Sequence, residues 1–333
     1  MSLPSRMPAV AYSSPGSPDV LTDVELDVPA PGPHDLLVEV RAVSVNPVDV
    51  KLRRGADPGG QPRVLGFDAA GTVVAVGEAV TAFAVGDAVY HAGSIARPGT
   101  NARYHLVDER IAGHAPASLD WAEAAALPLT TITAWETLFE RWALTRESTG
   151  TLLVMGAAGG VGSVLVQLAR QLTGLTVVAA VSRPEAEEWV RGLGAHEVVD
   201  RRDLVAEVAR VAPGGVRYVF SPYSAGMVET FARVMTVGGS VVAIDEPEGL
   251  DTLPLKERSQ GWHWEFMFSR PLHDPESTAQ RELLDEVARL VDAGVLRTTL
   301  TARLSPVDAA TLAEAHRRVE SSSTIGKVVL TAS

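Results

Sequence analysis

A chain of 333 residues allows two domains at roughly 150 residues each, and 46% hydrophobic with 21% charged residues is an ordinary globular balance. The net charge of −12 argues against a nucleic-acid backbone or an anionic membrane as the main partner. There is no cysteine, which excludes disulfides, a thiolate nucleophile and cysteine-ligated zinc. The opening "MSLPSRMPAV" lacks the apolar core of a signal peptide, and no run of about 18 apolar residues occurs, so a cytoplasmic protein is expected. Met7 offers an alternative start, so Met1–Leu3 are not assumed to belong to the native chain.

From about Val10 to Gly113, short apolar alternations such as "DLLVEVRAVSVN" and "AGTVVAVGEAV" are broken by Gly, Pro and Asp, the punctuation of an irregular β-rich domain. Near Trp121 the composition turns helical on either side of Pro128. Alternating elements follow. Strands are expected at Thr151–Ala157, Thr176–Val181, "HEVVD", "VRYVFS" and "GGSVVAI", with helices from Gly159, over Pro184–Leu193, over Arg202–Ala212 and over Met227–Met235. Apolar runs of about six residues separated by helices predict a parallel sheet covered on both faces, a doubly wound α/β unit. Beyond Phe268, "QRELLDEVARLVDAG" places Leu283, Leu284, Val287, Leu290 and Val291 on one helical stripe that Gly294 stops. The remainder, with strand "KVVLT", is too short for a third domain and is expected to rejoin the first, giving 1–127 with 268–333 and 128–267 as the two domains.

The stretch "VMGAAGGVGSVLVQLA" reads as a strand that turns on glycines into a helix. In a dinucleotide fingerprint the glycines let the backbone approach a pyrophosphate held by amides at the helix N-terminus. Gly159 and Gly162 fit the second and third fingerprint positions, while Ala157 replaces the first and leaves Gly156 one step early. Gly156, Ala158, Gly159, Gly160, Val161 and Gly162 are therefore the expected pyrophosphate cradle. Twenty residues on, where an NAD site wants a carboxylate, stand Ser182 and Arg183, which suit a 2′-phosphate and point to NADPH. A cap at Ser182 beside a solvated Arg183 is the alternative. Ser221 and Ile244 lie at carboxyl ends of expected parallel strands, where ligands bind in such sheets.

Together "GAAGGVGSVLVQLA", "GFDAAGTVVAVG", "VGDAV" and "SVNPVDVKLRRG" resemble the medium-chain dehydrogenase/reductase superfamily. The resemblance is to its zinc-independent quinone oxidoreductase (zeta-crystallin-like) branch, and most of all to the zinc-type alcohol dehydrogenase-like subgroup. It implies a GroES-like catalytic domain, a Rossmann domain, NADPH, and a homodimer formed through the Rossmann sheet. Where zinc members carry their catalytic cysteine this chain has Asn46, their Gly-His-Glu becomes Gly66-Phe67-Asp68, and the third ligand falls near Leu129. None of these suits zinc, and the eight histidines show no paired ligand spacing.

Without a Lewis acid to stabilise an alkoxide, an acceptor whose developing anion is delocalised is the better substrate, which points to a quinone or other α,β-unsaturated carbonyl. The hydrogen-bond donors are expected in the cleft between the domains. Asn46 is the first candidate, to a carbonyl oxygen or the nicotinamide ribose, though an Asn before Pro47 also caps turns. Lys51 matches the family's proton-relay position and is the candidate proton source, with a solvated loop lysine as the alternative. Thr130 and Thr133 resemble positions that face the nicotinamide, Lys327 would reach the cofactor phosphates, and Trp264 and Phe266 of "WHWEFMF" would wall an aromatic acceptor. An enoyl or carbonyl reductase and a nonenzymatic NADPH-binding protein are the competing readings.

Overall fold

The computed structural model describes residues 3–332. Two compact units emerge, one holding the described residues up to Ile132 and those from Phe268 onward, the other Thr133–Met267. The division falls inside a helix, so the boundary expected after residue 127 moves to 132.

The chain opens with β1 (Arg6–Tyr12), β2 (Thr22–Asp27), β3 (Asp35–Ser44), α1 (Pro47–Gly55), β4 (Arg63–Val64), β5 (Ala69–Val76), β6 (Ala88–His91), β7 (Tyr104–Asp108) and β8 (Ala112–His114), followed by the short helices α2 (Trp121–Ala125) and α3 (Pro128–Trp135). A π-helical turn, Glu136–Arg141, extends α3. Next come β9 (Thr149–Met155), α4 (Gly160–Leu172), β10 (Gly174–Val181), α5 (Pro184–Gly192), β11 (Glu197–Asp200), α6 (Leu204–Val211), β12 (Val216–Ser221), α7 (Val228–Val234), β13 (Met235–Ala243) and β14 (Gly261–Trp264). The chain closes with α8 (Ser269–His273), α9 (Ala279–Asp292), β15 (Leu300–Leu304), α10 (Ala309–Glu320) and β16 (Lys327–Thr331).

The first unit is β-rich and GroES-like. Its seven-stranded sheet runs β15-β16-β3-β5-β6-β8, with β7 also on β3, and a smaller sheet runs β2-β1-β4. β3 is the central strand because Leu36, Leu37, Val38, Val40, Ala42 and Val43 are all buried, so both of its faces meet core. Tyr90, on β6, is fully buried and donates its hydroxyl to Leu284 O at 2.6 Å, tying α9 to the sheet through the stripe that the sequence marks as apolar.

The second unit is a six-stranded, wholly parallel sheet in the order β11-β10-β9-β12-β13-β14. Successive side chains of a strand point to opposite faces. One face, with Leu153, Met155, Val178, Ala180, Val219 and Val241, packs on α6 and α7. The alternate residues Leu152, Val154, Val177, Ala179, Phe220 and Val242 are equally buried, so helices cover both sides and the doubly wound reading holds. β13 starts earlier than expected, at Met235, because Gly238 (φ +67°) accommodates a bulge between the two parts of the strand.

Three histidines of the first unit are buried and held neutral. His91 and His105 stack with centroids 5.0 Å apart and planes at 13°. His316, on α10, is buried against Arg53. Burial, with neighbouring positive or histidine groups, pushes His91 well down, His105 to about 4 and His316 to about 3. Each folded value lies below the unfolded value of about 6.5, so the stability that these groups contribute is complete above that pH and lost as pH falls through the window beneath it. For His105 alone the difference is worth roughly 3 kcal/mol once the pH is below both values. The calorimetric melting temperature is expected to be flat from pH 7 to 8 and to drop steadily from 6.5 to 4.5, with His105→Leu showing a shallower drop.

Candidate functional site

All strands of the second unit run the same way, so their carboxyl ends form one edge, and five of the expected ligand segments sit along it. The glycine turn follows β9, Ser182 and Arg183 follow β10, Ser221 ends β12, Ile244 follows β13, and Trp264 and Phe266 end and follow β14. From β9 the chain winds outward to β10 and β11 and then returns to β12 on the other side of β9. The glycine turn therefore lies at the topological switch point, the crevice where open parallel sheets bind ligands.

Two glycines make the turn possible. Gly156 adopts φ +62°, a conformation that costs other residues strain. A Cβ on Gly162 would lie 2.4 Å from Gly156 O and 2.7 Å from Ala157 Cα, so nothing larger than glycine lets the start of α4 come this close to the end of β9. Gly159 N bonds to Gly156 O at 2.9 Å and Ser163 N to Gly159 O at 2.9 Å. The amides of Gly160, Val161 and Gly162 thus come before the first helical hydrogen bond of α4, at the positive end of its dipole. Gly156, Gly159, Gly160 and Val161 are half-buried, and Ala158 and Gly162 are buried. A pyrophosphate fits this cradle. Gly162→Ala is expected to abolish dinucleotide binding, read by fluorescence titration with reduced nicotinamide dinucleotide, while the fold is retained.

Around the cradle, Pro222 and Tyr223 approach within 3.0 and 3.5 Å of the position that a Gly156 Cβ would take. Ser221 departs from expectation. It is fully buried, and its hydroxyl donates to Tyr223 O at 2.9 Å and accepts from Tyr223 N at 3.2 Å, so it shapes the loop and presents no group to a cofactor. Asp245 completes that loop by accepting from Ser224 N at 2.6 Å and Ser224 Oγ at 2.7 Å. Ser182 is half-buried and Arg183 exposed at the N-terminus of α5, with Ile244 half-buried nearby along the edge. Trp264 and Phe266 are 48% and 42% exposed, so they lie outside the core, and packing against a second copy of the chain is the alternative to an acceptor wall.

In the first unit the residues at the family's metal positions converge on a different cation. Lys327, at the start of β16, is buried, and its Nζ donates to Asn46 Oδ1 at 2.5 Å, Val45 O at 3.1 Å and Asp68 Oδ2 at 3.2 Å. Asn46 Nδ2 donates to Asp68 Oδ2 at 2.8 Å and to Ser44 O at 3.4 Å. Asp68 Oδ1 accepts from Leu129 N at 2.7 Å and so caps the start of α3. Asp49 accepts from Asn46 N at 2.8 Å and Gly66 N at 2.9 Å. Burial pushes Asp49 up to about 7, against the pull of those amides and Lys327, and burial likewise raises Asp68.

Three expectations change here. The three ammonium protons of Lys327 are committed inside this cluster, so it does not reach cofactor phosphates. Asn46 is 1% exposed with both amide protons engaged, so it cannot serve as a donor to a substrate carbonyl or to the ribose. Thr130 is buried and spends its hydroxyl proton on Leu127 O at 3.0 Å, the helix-backbone role. Lys51 is exposed on α1, and Thr133 is buried. Sequence reading overlooked Asp49, although Asn46-Pro47-Val48-Asp49 has the spacing of a helix-capping box. Removing the cation would strand a buried carboxylate, so Lys327→Met is expected to cost about 3–5 kcal/mol in urea unfolding.

Comparison with known proteins places this architecture. The description "Alcohol dehydrogenase GroES-like domain" matches residues 32–132, and "Zinc-binding dehydrogenase" matches residues 193–330. A zinc-type alcohol dehydrogenase-like protein of Staphylococcus aureus strain MSSA476 is 39% identical over 91% of this chain and 92% of its own. A Rhizobium etli CFN 42 structure named for the zinc-dependent alcohol dehydrogenases is 50% identical with a TM-score of 0.94, over 98% of both chains. An NADPH-dependent alkenal/one oxidoreductase of Arabidopsis thaliana is 38% identical over 73% of this chain and 64% of its own.

The chain belongs to the medium-chain dehydrogenase/reductase superfamily, an oxidoreductase family, among its zinc-type alcohol dehydrogenase-like proteins. The zinc in that name does not fit the residues present. An amide, a phenyl ring and an already saturated carboxylate stand at positions 46, 67 and 68, and among the described residues no group of three or more histidine or acidic side chains could hold a metal.

Proposed function

We propose that this protein reduces quinones or other α,β-unsaturated carbonyls with NADPH, without zinc. The glycine cradle at the switch point is the observation that carries the reading. Its backbone geometry suits a pyrophosphate, and the neighbouring strand end at Ser182 and Arg183 offers a hydroxyl and a guanidinium where a ribose 2′-phosphate would lie. The name of the Arabidopsis relative, which specifies NADPH and an alkenal or alkenone, supports the same cofactor and acceptor class.

When bound, the dihydronicotinamide supplies a hydride; the protein has to hold it and manage the charge that appears on the acceptor. Gly160, Val161 and Gly162 hold the pyrophosphate by amide donation. Ser182 and Arg183 select the phosphorylated ribose. Pro222, Tyr223 and Ile244 line the strand ends beyond the turn. The cluster at Asn46, Asp68 and Lys327 offers no electrophile to an alkoxide, so alcohol oxidation is disfavoured and an acceptor that spreads its own negative charge is preferred. A homodimer working in the cytoplasm, free of nucleic acid and membrane, accompanies this reading.

Steady-state oxidation of NADPH with a panel of quinones and enones tests it. Turnover is expected with at least one class, and tight NADPH binding without turnover on any acceptor would make the protein a binding module instead. Arg183→Glu is expected to raise KM for NADPH about 10- to 100-fold while leaving that for NADH nearly unchanged. Equal effects on the two dinucleotides would remove Arg183 from 2′-phosphate recognition.

A further inference from the structure

Glu136 and Glu265 form a buried acid pair in the second unit, apart from the glycine cradle. Glu265 follows β14 directly, and its amide bonds to Ala243 O, at the carboxyl end of β13, at 3.0 Å. It therefore sits on the same edge of the sheet as the glycine turn, Ser182 and Ile244. Glu136 opens the π-helical turn, one helical turn beyond Thr133. The two carboxyl groups hydrogen-bond to each other. Glu136 is 3% exposed and the Glu265 side chain 2% exposed. A π-turn is a rare feature that concentrates at functional sites, and here it delivers one acid onto another.

Two carboxyl groups in a hydrogen bond, shielded from water, repel each other strongly when both are ionised, so at neutral pH the pair holds one proton and the doubly ionised state is reached only on giving that proton up. The other charged groups against it come from the same turn. Arg141 Nε lies 3.3 Å from Glu265 Oε2, and Arg141 Nη2 lies 3.4 Å from Glu140 Oε2. Arg141 balances the single negative charge. Arg141 and Glu140, at 41% and 24% exposure, connect the pair to solvent. Burial, the bond to Glu136 and that neighbour's charge push Glu265 up to about 9, against Arg141.

We propose that Glu136 and Glu265 are the proton source for the reduced acceptor, handing over their shared proton directly or through water. The inference rests on the NADPH-reductase reading above. Hydride addition to an enone or quinone leaves an enolate or hydroquinone anion that needs one proton to become neutral product. The proton leaves the pair for the α-carbon or the oxygen of that anion, its bonding electrons stay on the carboxyl oxygen, and the pair becomes two carboxylates. One proton from solvent then restores it, so the overall reaction consumes one reductant and one proton per acceptor.

Glu265→Gln and Glu136→Gln separate this role from a structural one. Glutamine keeps the pair hydrogen-bonded by donating its amide to the remaining carboxylate, so a merely structural pair would tolerate either change. For a proton source, kcat is expected to fall about 10²- to 10³-fold in both variants with NADPH affinity within about twofold. The wild-type decline in kcat as pH rises through about 9 should vanish in the variants.

Infrared titration of the protein without added substrate gives a readout independent of activity. A protonated carboxyl band is expected at pH 7 in the wild type, reduced by the equivalent of one group in each variant. If the wild type turns over acceptors while either variant keeps its kcat and alkaline limb, or if the infrared difference is absent, the proposal is overturned and the reductase reading stands. A wild type inactive on every acceptor overturns both.

Discussion

One steric fact underlies the site: the start of α4 can touch the end of β9 only because Gly162 carries no side chain and Gly156 turns the chain at φ +62°. That contact brings three unbonded helix amides to the switch point of a parallel sheet. The order of the strands then places every other loop of the carboxyl edge beside them. The proposed selectivity for a phosphorylated dinucleotide is a local refinement at the next strand end, and the proposed proton source at β14 is another. None of them would have a ligand to act on without the close approach.

The first unit solves a separate electrostatic problem. At positions 46, 68 and 129, where the family resemblance would put zinc ligands, this chain gathers Asn46, Asp68 and the Leu129 amide around one another and a single ammonium. Substituting a lysine for a metal preserves the tie between the end of β3, the loop before β5 and the start of α3. It gives up an open coordination position, because an ammonium that has donated all three protons has nothing left to offer a substrate. Asn46 and Lys327 thus share a structural task that their positions near the family's motifs disguise.

How much of this the residues announce differs by region. The parallel sheet was evident because strands buried on both faces need continuous apolar runs, as in "TLLVM" and "LTVVAAV", and the amphipathic stripe of α9 was evident for the complementary reason. The glycine turn announced itself by spacing. β14 did not, since a four-residue edge strand made of "GWHW" has neither length nor alternation, and its aromatics read more readily as a wall. Partnerships were hidden more deeply. Lys327 and Asp68 lie 259 residues apart, and nothing in "GKVVL" says whether the lysine points to solvent, a phosphate or a carboxylate. Glu136 and Glu265 each look like an ordinary surface acid, and only the turn geometry and the end of β14 bring them together.

That separation of Asp68 from Lys327 bears on how the protein is made. The β-rich unit is interrupted by the whole of the parallel-sheet unit, and its counter-charge arrives on β16. During synthesis at about 5–20 residues per second, Asp68 waits on the order of 10 to 50 s for its partner. The inserted unit, uninterrupted in sequence, is complete while the first is still missing both its cation and the neighbour of β3. The parallel sheet can therefore fold first, while the outer unit closes only after β16 has emerged from the ribosome.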